Sequence, residues 1–317
     1  MSAARGELPA VARRRVRLAL RAARERSGLS QNEVAKKLGW SLSKVQRIEL
    51  GEVTISPTDL RAALDIYQVA DERSIAALLA EARTARRERY LTTQEYRDHL
   101  TPGLVQLLQF EQAATAIREY HSTLIPAYLQ TPAVAEATLA WFEQTLSEEQ
   151  RRVRRDVRLS RRDQVLKRED PPEFCLLLDE AALWRTVGGL AVTADQFEEL
   201  AAVSRWPNVH VRVLPLDDGM MMGTFGYFSV LDLGADPDDA VLYREIYLED
   251  EVVEDPAQVR YHRDVFERFW LRAFDEDASR ATILARVYEL RAKLARAESA
   301  KLPRAARQVS QDQGMES

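Results

Sequence analysis

Between residues 29 and 51 the apolar positions recur at helical spacing in two short blocks. Val34, Ala35 and Leu38 share one side of a first helix, Val45 and Ile48 one side of a second, and the two sides are expected to face each other. Ser30 followed three residues later by Glu33 has the pattern of a capping box, and Leu29 and Val34 are spaced for the hydrophobic staple across it. Lys36 and Lys37 fall in the last turn, where cations suit the helix dipole, and Gly39 supplies the left-handed residue that ends the helix. Ser41 then starts the second helix, with Gly51 just past its end. The small side chain of Ala35 lets the second helix cross close over the first. Its outward positions are Ser41, Leu42, Ser43, Lys44, Gln46 and Arg47, five of which carry hydrogen-bonding or cationic groups of the kinds that meet phosphates and base edges.

The same pattern predicts further helices on either side. Residues 1–9 are expected to be a flexible arm. A basic helix over 10–26 turns Val16, Leu20 and Ala23 inward and leaves Arg13, Arg14, Arg15, Arg17, Arg21 and Arg24 largely outside. That cationic face is either simply solvated or, near its N-terminal end, a phosphate contact through Arg13, Arg14 and Arg17. Ser56 and Pro57 open a fourth helix, stapled by Ile55 and Leu60, and a fifth spans about 71–89. A division between 90 and 91 follows, separating a 10–90 domain from a 91–298 domain, and after Pro303 the polar composition predicts a disordered tail over 299–317.

Beyond residue 100 the periodicity shortens. Residues 113–120 read as strand or helix. Thr131 with Pro132 opens a helix to about 144, and Ser147 with Gln150 caps another to about 167. Apolar runs at 174–178, 209–214, 224–231 and 240–247 read as strands, with a helix over about 193–204 between them. The last two strands are close enough across residues 234–239 to form an antiparallel hairpin. Helices over about 256–273, capped by Asp255, and 277–297 complete the region. The expected class is mainly α with a smaller α+β part: an N-terminal all-α five-helix domain, then an α+β domain with a mostly antiparallel sheet.

Composition sharpens this picture through charge. The chain carries 45 Lys and Arg against 50 Asp and Glu, a net −5. Residues 1–90 hold 18 basic against 11 acidic residues, or +7, and the remainder 27 against 39, or −12. A basic head on an acidic body is the distribution expected when only the head meets phosphate. No apolar run approaches the roughly 20 residues of a membrane span, and the N-terminus lacks the apolar core of a signal peptide, so a cytoplasmic, nucleoid-associated protein with no membrane contact is expected. The single Cys175 sits in an apolar run as a core residue, and His99, His121, His210 and His262 show no metal-ligand spacing. Neither a metal nor a cofactor is expected.

With Gln31 opening the first motif helix, Ala35, the turn Gly39, and Val45 and Ile48 closing the core, residues 10–70 resemble the five-helix DNA-binding domain of XRE and phage-repressor-like regulators. The stretches IPAYLQTP (125–132), PPEFCLLLDEAALWRTVGG (171–189) and WPNVHVRVLP (206–215) resemble the C-terminal domain of many actinobacterial regulators, including WhiJ-like proteins and antitoxin-like relatives. Ala127 stands where that pattern usually has glycine. The resemblance implies a repressor-like transcription regulator that often works with a small protein encoded by a neighbouring gene. It implies a phosphate contact by Gln31, and major-groove contacts by Ser41, Leu42, Ser43, Lys44, Gln46 and Arg47 on double-stranded operator DNA. A homodimer on a partly palindromic operator follows from the short reach of one head. An antitoxin-like module that captures a small partner and autoregulates its operon is the alternative.

Other signals are weaker. The basic run 151–168 is a second phosphate surface or a helix whose long stems cover apolar surface, the latter favoured. Ten Asp and Glu over 232–255, against Arg244 alone, lack the spacing of a calcium loop and read as a solvated edge or a partner-facing surface. Met220, Met221 and Met222, followed by Phe225 and Tyr227, form either an adaptable ligand or partner surface or a loop folded over the core. No phosphate-cradling glycine loop, nucleophile elbow or His-Glu metal motif is present, so no catalytic residue is expected.

Overall fold

Side-chain caps set the helix boundaries in the first part of the chain. The computed structural model describes residues 9–86, 99–141, 145–218, 225–234, 236–246 and 249–301. Its two units are Met1–Ala114 and Thr115–Ser317. The expected arm lies outside the described residues except for Pro9, as does most of the expected tail.

In the first unit the helices are α1 (Pro9–Arg26), α2 (Gln31–Leu38), α3 (Leu42–Leu50), α4 (Pro57–Ile66), α5 (Glu72–Ala85) and α6 (Pro102–Glu111). Ser30 and Glu33 form the reciprocal capping box at the start of α2, and Ser41, Ser56 and Asp71 cap α3, α4 and α5. Val16, Leu20, Val34, Ala35, Val45, Ile48, Leu60, Leu64 and Ile75 make one apolar cluster that fixes these helices together. Helix α6 packs against α1, and the first compact unit runs on to Ala114, past the 90/91 division read from the sequence. Because α5 and α6 both pack on α1, its N-terminal half is covered on more than one side, and Arg14, expected outside, is only 4% exposed.

The second unit is built on a six-stranded mixed sheet in the order β3-β2-β1-β4-β5-β6. Its strands are β1 (Ala116–His121), β2 (Glu173–Asp179), β3 (Val209–Leu214), β4 (Tyr227–Asp232), β5 (Ala240–Ile246) and β6 (Glu249–Val253). β1, β2 and β3 run parallel, and the pairings of β4 with β1, β5 with β4 and β6 with β5 are antiparallel. From Ala116 onward the ambiguous run 113–120 is therefore strand, fixed by β2 on one side and β4 on the other. Between the strands lie α7 (Pro132–Ala140), α8 (Glu148–Arg161), continued by a π-turn at Arg162–Leu166, and α9 (Leu190–Val203); α10 (Pro256–Trp270) and α11 (Glu276–Lys301) follow. Thr131, Ser147 with Gln150, and Asp255 cap α7, α8 and α10.

One face of the sheet meets α10. Tyr120, Leu177, Phe228, Val230 and Leu242 pack there against Val259, Val265, Phe266 and Phe269. Charges on this face are paired: Arg118 reaches Asp232 at 2.5 Å and Glu267 at 2.9 Å, and Arg263 also binds Asp232. At the β3 edge, the Val213 N–H donates to Ser279 Oγ at 2.9 Å and its carbonyl accepts the Phe274 N–H at 3.0 Å.

His262 of α10 is 7% exposed and packs edge-on against Phe228 at 5.2 Å and Phe225 at 6.2 Å, while its Nδ1–H donates to the Gln258 carbonyl at 2.9 Å. Burial pushes its pKa below the ordinary 6.5. The folded state therefore favours the neutral ring, and its contribution is fully present above 6.5 and lost as pH falls toward the folded value. Urea unfolding followed between about pH 7.5 and 5.5 is expected to show falling stability, with a shallower fall in His262→Phe; equal slopes would refute the assignment.

Candidate nucleic-acid interface

Helices α2 and α3 form a helix-turn-helix whose turn is Gly39, Trp40 and Ser41. Gly39 is left-handed (φ 64°), and the Trp40 N–H donates to the Ala35 carbonyl at 2.9 Å, the longer bond of a Schellman ending. Gly51 closes α3 in the same way, with φ 79° and Glu52 N–H to the Arg47 carbonyl at 2.9 Å. A Cβ at Gly51 would lie 2.9 Å from Arg17 Nη1. That closeness has a use: Arg17 donates to the Leu50 carbonyl at 3.0 Å, placing a cation at the negative end of α3.

Val45 and Ile48 lock α3 into the core, which leaves Ser41, Leu42, Ser43, Gln46 and Arg47 exposed and Lys44 half-buried. Leu42, 41% exposed, is the apolar member of this surface. Ser41 has a structural duty too, since its Oγ accepts the Lys44 N–H at 3.1 Å. Lys44 Nζ bonds Asp59 Oδ2 at 3.0 Å and stands 4.0 Å from the centre of the Trp40 ring. Arg47 Nε lies 3.3 Å from Glu52 Oε2. Both pairs are solvent-accessible, so they hold the cations in place at little cost to exchange for a phosphate or base.

Gln31, expected to reach a phosphate, donates its side-chain amide to Glu49 Oε2 at 2.7 Å. Glu49 also takes two bonds from Arg24, at 2.6 and 3.0 Å, and this hydrogen bond is the main reason the Arg24 guanidinium is held above its usual pKa. The network joins α1, α2 and α3. Sequence reading did not find it, because Arg24 and Glu49 are 25 positions apart and no spacing rule links them. Of the arginines expected at phosphates, Arg13 is half-buried, Arg14 is buried, and Arg17 is engaged with the end of α3.

The second candidate surface is not assembled as a unit. Met220, Met221 and Met222 lie outside the described residues. Phe225 packs with Phe228, Tyr261 and His262 on the α10 side, whereas Tyr227 pairs with His121 and Tyr243 on the opposite face of the sheet. Gly226 between them has φ 66°, which breaks the alternation that would have put both on one face. Half-buried Cys175 has its thiol pushed up to about 11 by burial, so it stays protonated at neutral pH. Among the described residues no group of three or more His, Cys, Asp or Glu is arranged to hold a metal ion. No described helix is long and apolar enough to cross a membrane.

Comparison with known proteins agrees with this geometry. Residues 16–78 match the family described as Helix-turn-helix domain, and residues 104–285 match the family described as Domain of unknown function (DUF5753). The second match begins inside α6, ahead of the second unit. No curated protein and no solved structure matches the chain. The first unit thus carries a DNA-binding helix-turn-helix domain, with α3 as its exposed second helix.

Removing Glu49 leaves the Arg24 guanidinium, 12% exposed, without its bidentate partner. Glu49→Ala is expected to destabilise the first unit by about 3 kcal/mol, and Glu49→Gln by less, in chemical denaturation. A loss under about 1 kcal/mol for Glu49→Ala would show that the pair is not structural.

Proposed function

Because the chain belongs to the family described as Domain of unknown function (DUF5753) and carries a helix-turn-helix domain, we propose that it is a sequence-specific transcriptional regulator. The observation that supports this best is the outer face of α3. Leu42, Ser43, Gln46 and Arg47 are exposed on a helix whose other side is locked by Val45 and Ile48. An α-helix of this kind fits the major groove, where Arg or Lys recognises guanine, Gln recognises adenine, and Leu42 contacts a thymine methyl. The N-terminal backbone of α2 approaches a phosphate, with Gln31 held beside it by Glu49.

The finer reading is a repressor-like XRE regulator of the actinobacterial, WhiJ-like type, without enzymatic activity, acting in the cytoplasm as a homodimer on a two-fold operator. Two heads about one helical turn apart supply the specificity that a single head lacks. In this reading the second unit senses a ligand or a partner protein. An antitoxin-like role, capture of a small protein encoded nearby, is favoured by one observation: the acidic run containing β6 stands at an edge of the sheet, the place where a partner's strand would add.

Lys44 and Arg47 are the residues on which base recognition is expected to turn. Each replaced by Ala should weaken operator binding by about 1 to 3 kcal/mol at fixed salt, with specificity relaxed at the contacted base pair. Operators recovered by genome-wide selection and titrated at constant ionic strength provide the measurement. Wild-type affinity in both variants would refute the assignment of α3 as the reading helix.

A further inference from the structure

Helix α3 carries two cations, Lys44 and Arg47, and each is met by a carboxylate from outside the helix. Lys44 Nζ lies 3.0 Å from Asp59 Oδ2. Asp59 is the third residue of α4, where its N–H donates to Ser56 Oγ at 3.0 Å and its negative charge suits the start of the helix, so the carboxylate is presented from a fixed backbone. Glu52 follows the left-handed Gly51, and its N–H donates to the Arg47 carbonyl at 2.9 Å while its carboxylate lies 3.3 Å from Arg47 Nε. Lys36 and Lys37 of the neighbouring α2 are exposed and join no ion pair among the described residues. The pairing is thus a property of α3 and not of every cation nearby.

What each pair leaves unused matters more than the pair itself. An ammonium has three N–H donors, so Lys44 keeps two beyond the one at Asp59, with the Trp40 ring 4.0 Å away on another side. Arg47 meets Glu52 through Nε, and its two terminal nitrogens, the fork that matches guanine O6 and N7, are outside that contact. A base edge is a neutral acceptor and can take these donors with both carboxylates in place. A phosphate is an anion: to reach either cation it must stand close to Asp59 or Glu52 as a like charge, or break the pair. One geometry therefore admits a base and opposes the backbone.

We propose that Asp59 and Glu52 are specificity-determining residues of DNA recognition: they leave Lys44 and Arg47 able to donate to base edges in the major groove and keep them from serving as plain phosphate contacts. Discrimination is a difference of affinities, and weakening the binding of competing DNA widens it as surely as strengthening the operator contact. This deepens the reading of α3 as the helix that enters the groove and rests on it.

The full chain and its Asp59→Asn and Glu52→Gln variants are titrated, across a salt series, with the selected operator and with a random-sequence duplex of the same length. Both substitutions keep the shape of the side chain and remove its charge. Each is expected to tighten binding to the random duplex by about three- to fivefold at low salt, and to steepen its salt dependence by about 0.9 in slope, the signature of one further phosphate contact. The operator should gain less, so the ratio of the two affinities falls. In a Lys44→Ala background Asp59→Asn should bring no gain, and in an Arg47→Ala background Glu52→Gln should bring none. Glu52 is exposed and lies outside any helix, so its variant decides the matter if Asp59→Asn does not fold. Unchanged affinity and slope on random DNA, an equal gain on both duplexes, or a gain that persists without the paired cation would overturn the proposal. Wild-type operator affinity in Lys44→Ala and Arg47→Ala would strike the reading helix and this inference with it, whereas lost operator binding in those two beside unaltered random-duplex binding in the carboxylate variants would strike this inference alone.

Discussion

Removing a charged group from water costs more than most single contacts return, and the inner architecture of both units is arranged around that cost. In the first unit Glu49 is drawn in among α1, α2 and α3 only because Arg24 meets it with two hydrogen bonds and Gln31 with a third. The carboxylate thereby fixes the angle at which α3 leaves the body of the unit. In the second, Arg118 lies over the sheet centre between Asp232 and Glu267, and Asp232 is shared with Arg263. Apolar burial supplies the bulk of the driving force, but it is indifferent to small rotations of one helix on another. Directional, paired charges supply the orientation.

What could be read from sequence follows the range of the interaction. Caps and left-handed glycines act within three or four residues, so the starts of α2, α3, α4, α7, α8 and α10 were visible, each with its capping side chain. The fold class was legible for the same reason, and the outward side of α3 follows from the spacing of Val45 and Ile48. What escaped depends on partners remote in sequence. Arg14 is polar at a position that periodicity would leave to solvent, yet it is buried in a helix on which both α5 and α6 pack. The buried Glu119 and Ser229 lie inside runs otherwise suited to strand, and their meaning appears only when β1, β4 and β5 are set side by side. Phe225 and Tyr227 were grouped by proximity along the chain, and a single left-handed glycine sends them to opposite faces.

The reading helix is also instructive for how its cations are kept. Lys44 rests against Asp59 and the Trp40 ring, and Arg47 against Glu52, each through contacts open to solvent. Such pairs are nearly neutral in free energy, so they pre-position the side chains without committing them. They also lower the net positive field that the helix presents to any stretch of phosphate. A surface of that kind depends more on the match between side chain and base than on bulk attraction to the backbone.

The two ends of the sheet carry a further consequence. At β3, the free backbone groups of Val213 are already taken by Ser279 and Phe274, so that end offers a second chain no ladder at this position. At the other end, β6 belongs to a segment whose sequence is rich in acids, with Asp250, Glu251, Glu254 and Asp255 close along the chain. Like charge discourages a copy of the same strand from docking there. One serine hydroxyl at one end and a run of acids at the other thus act as guards against edge-to-edge polymerisation.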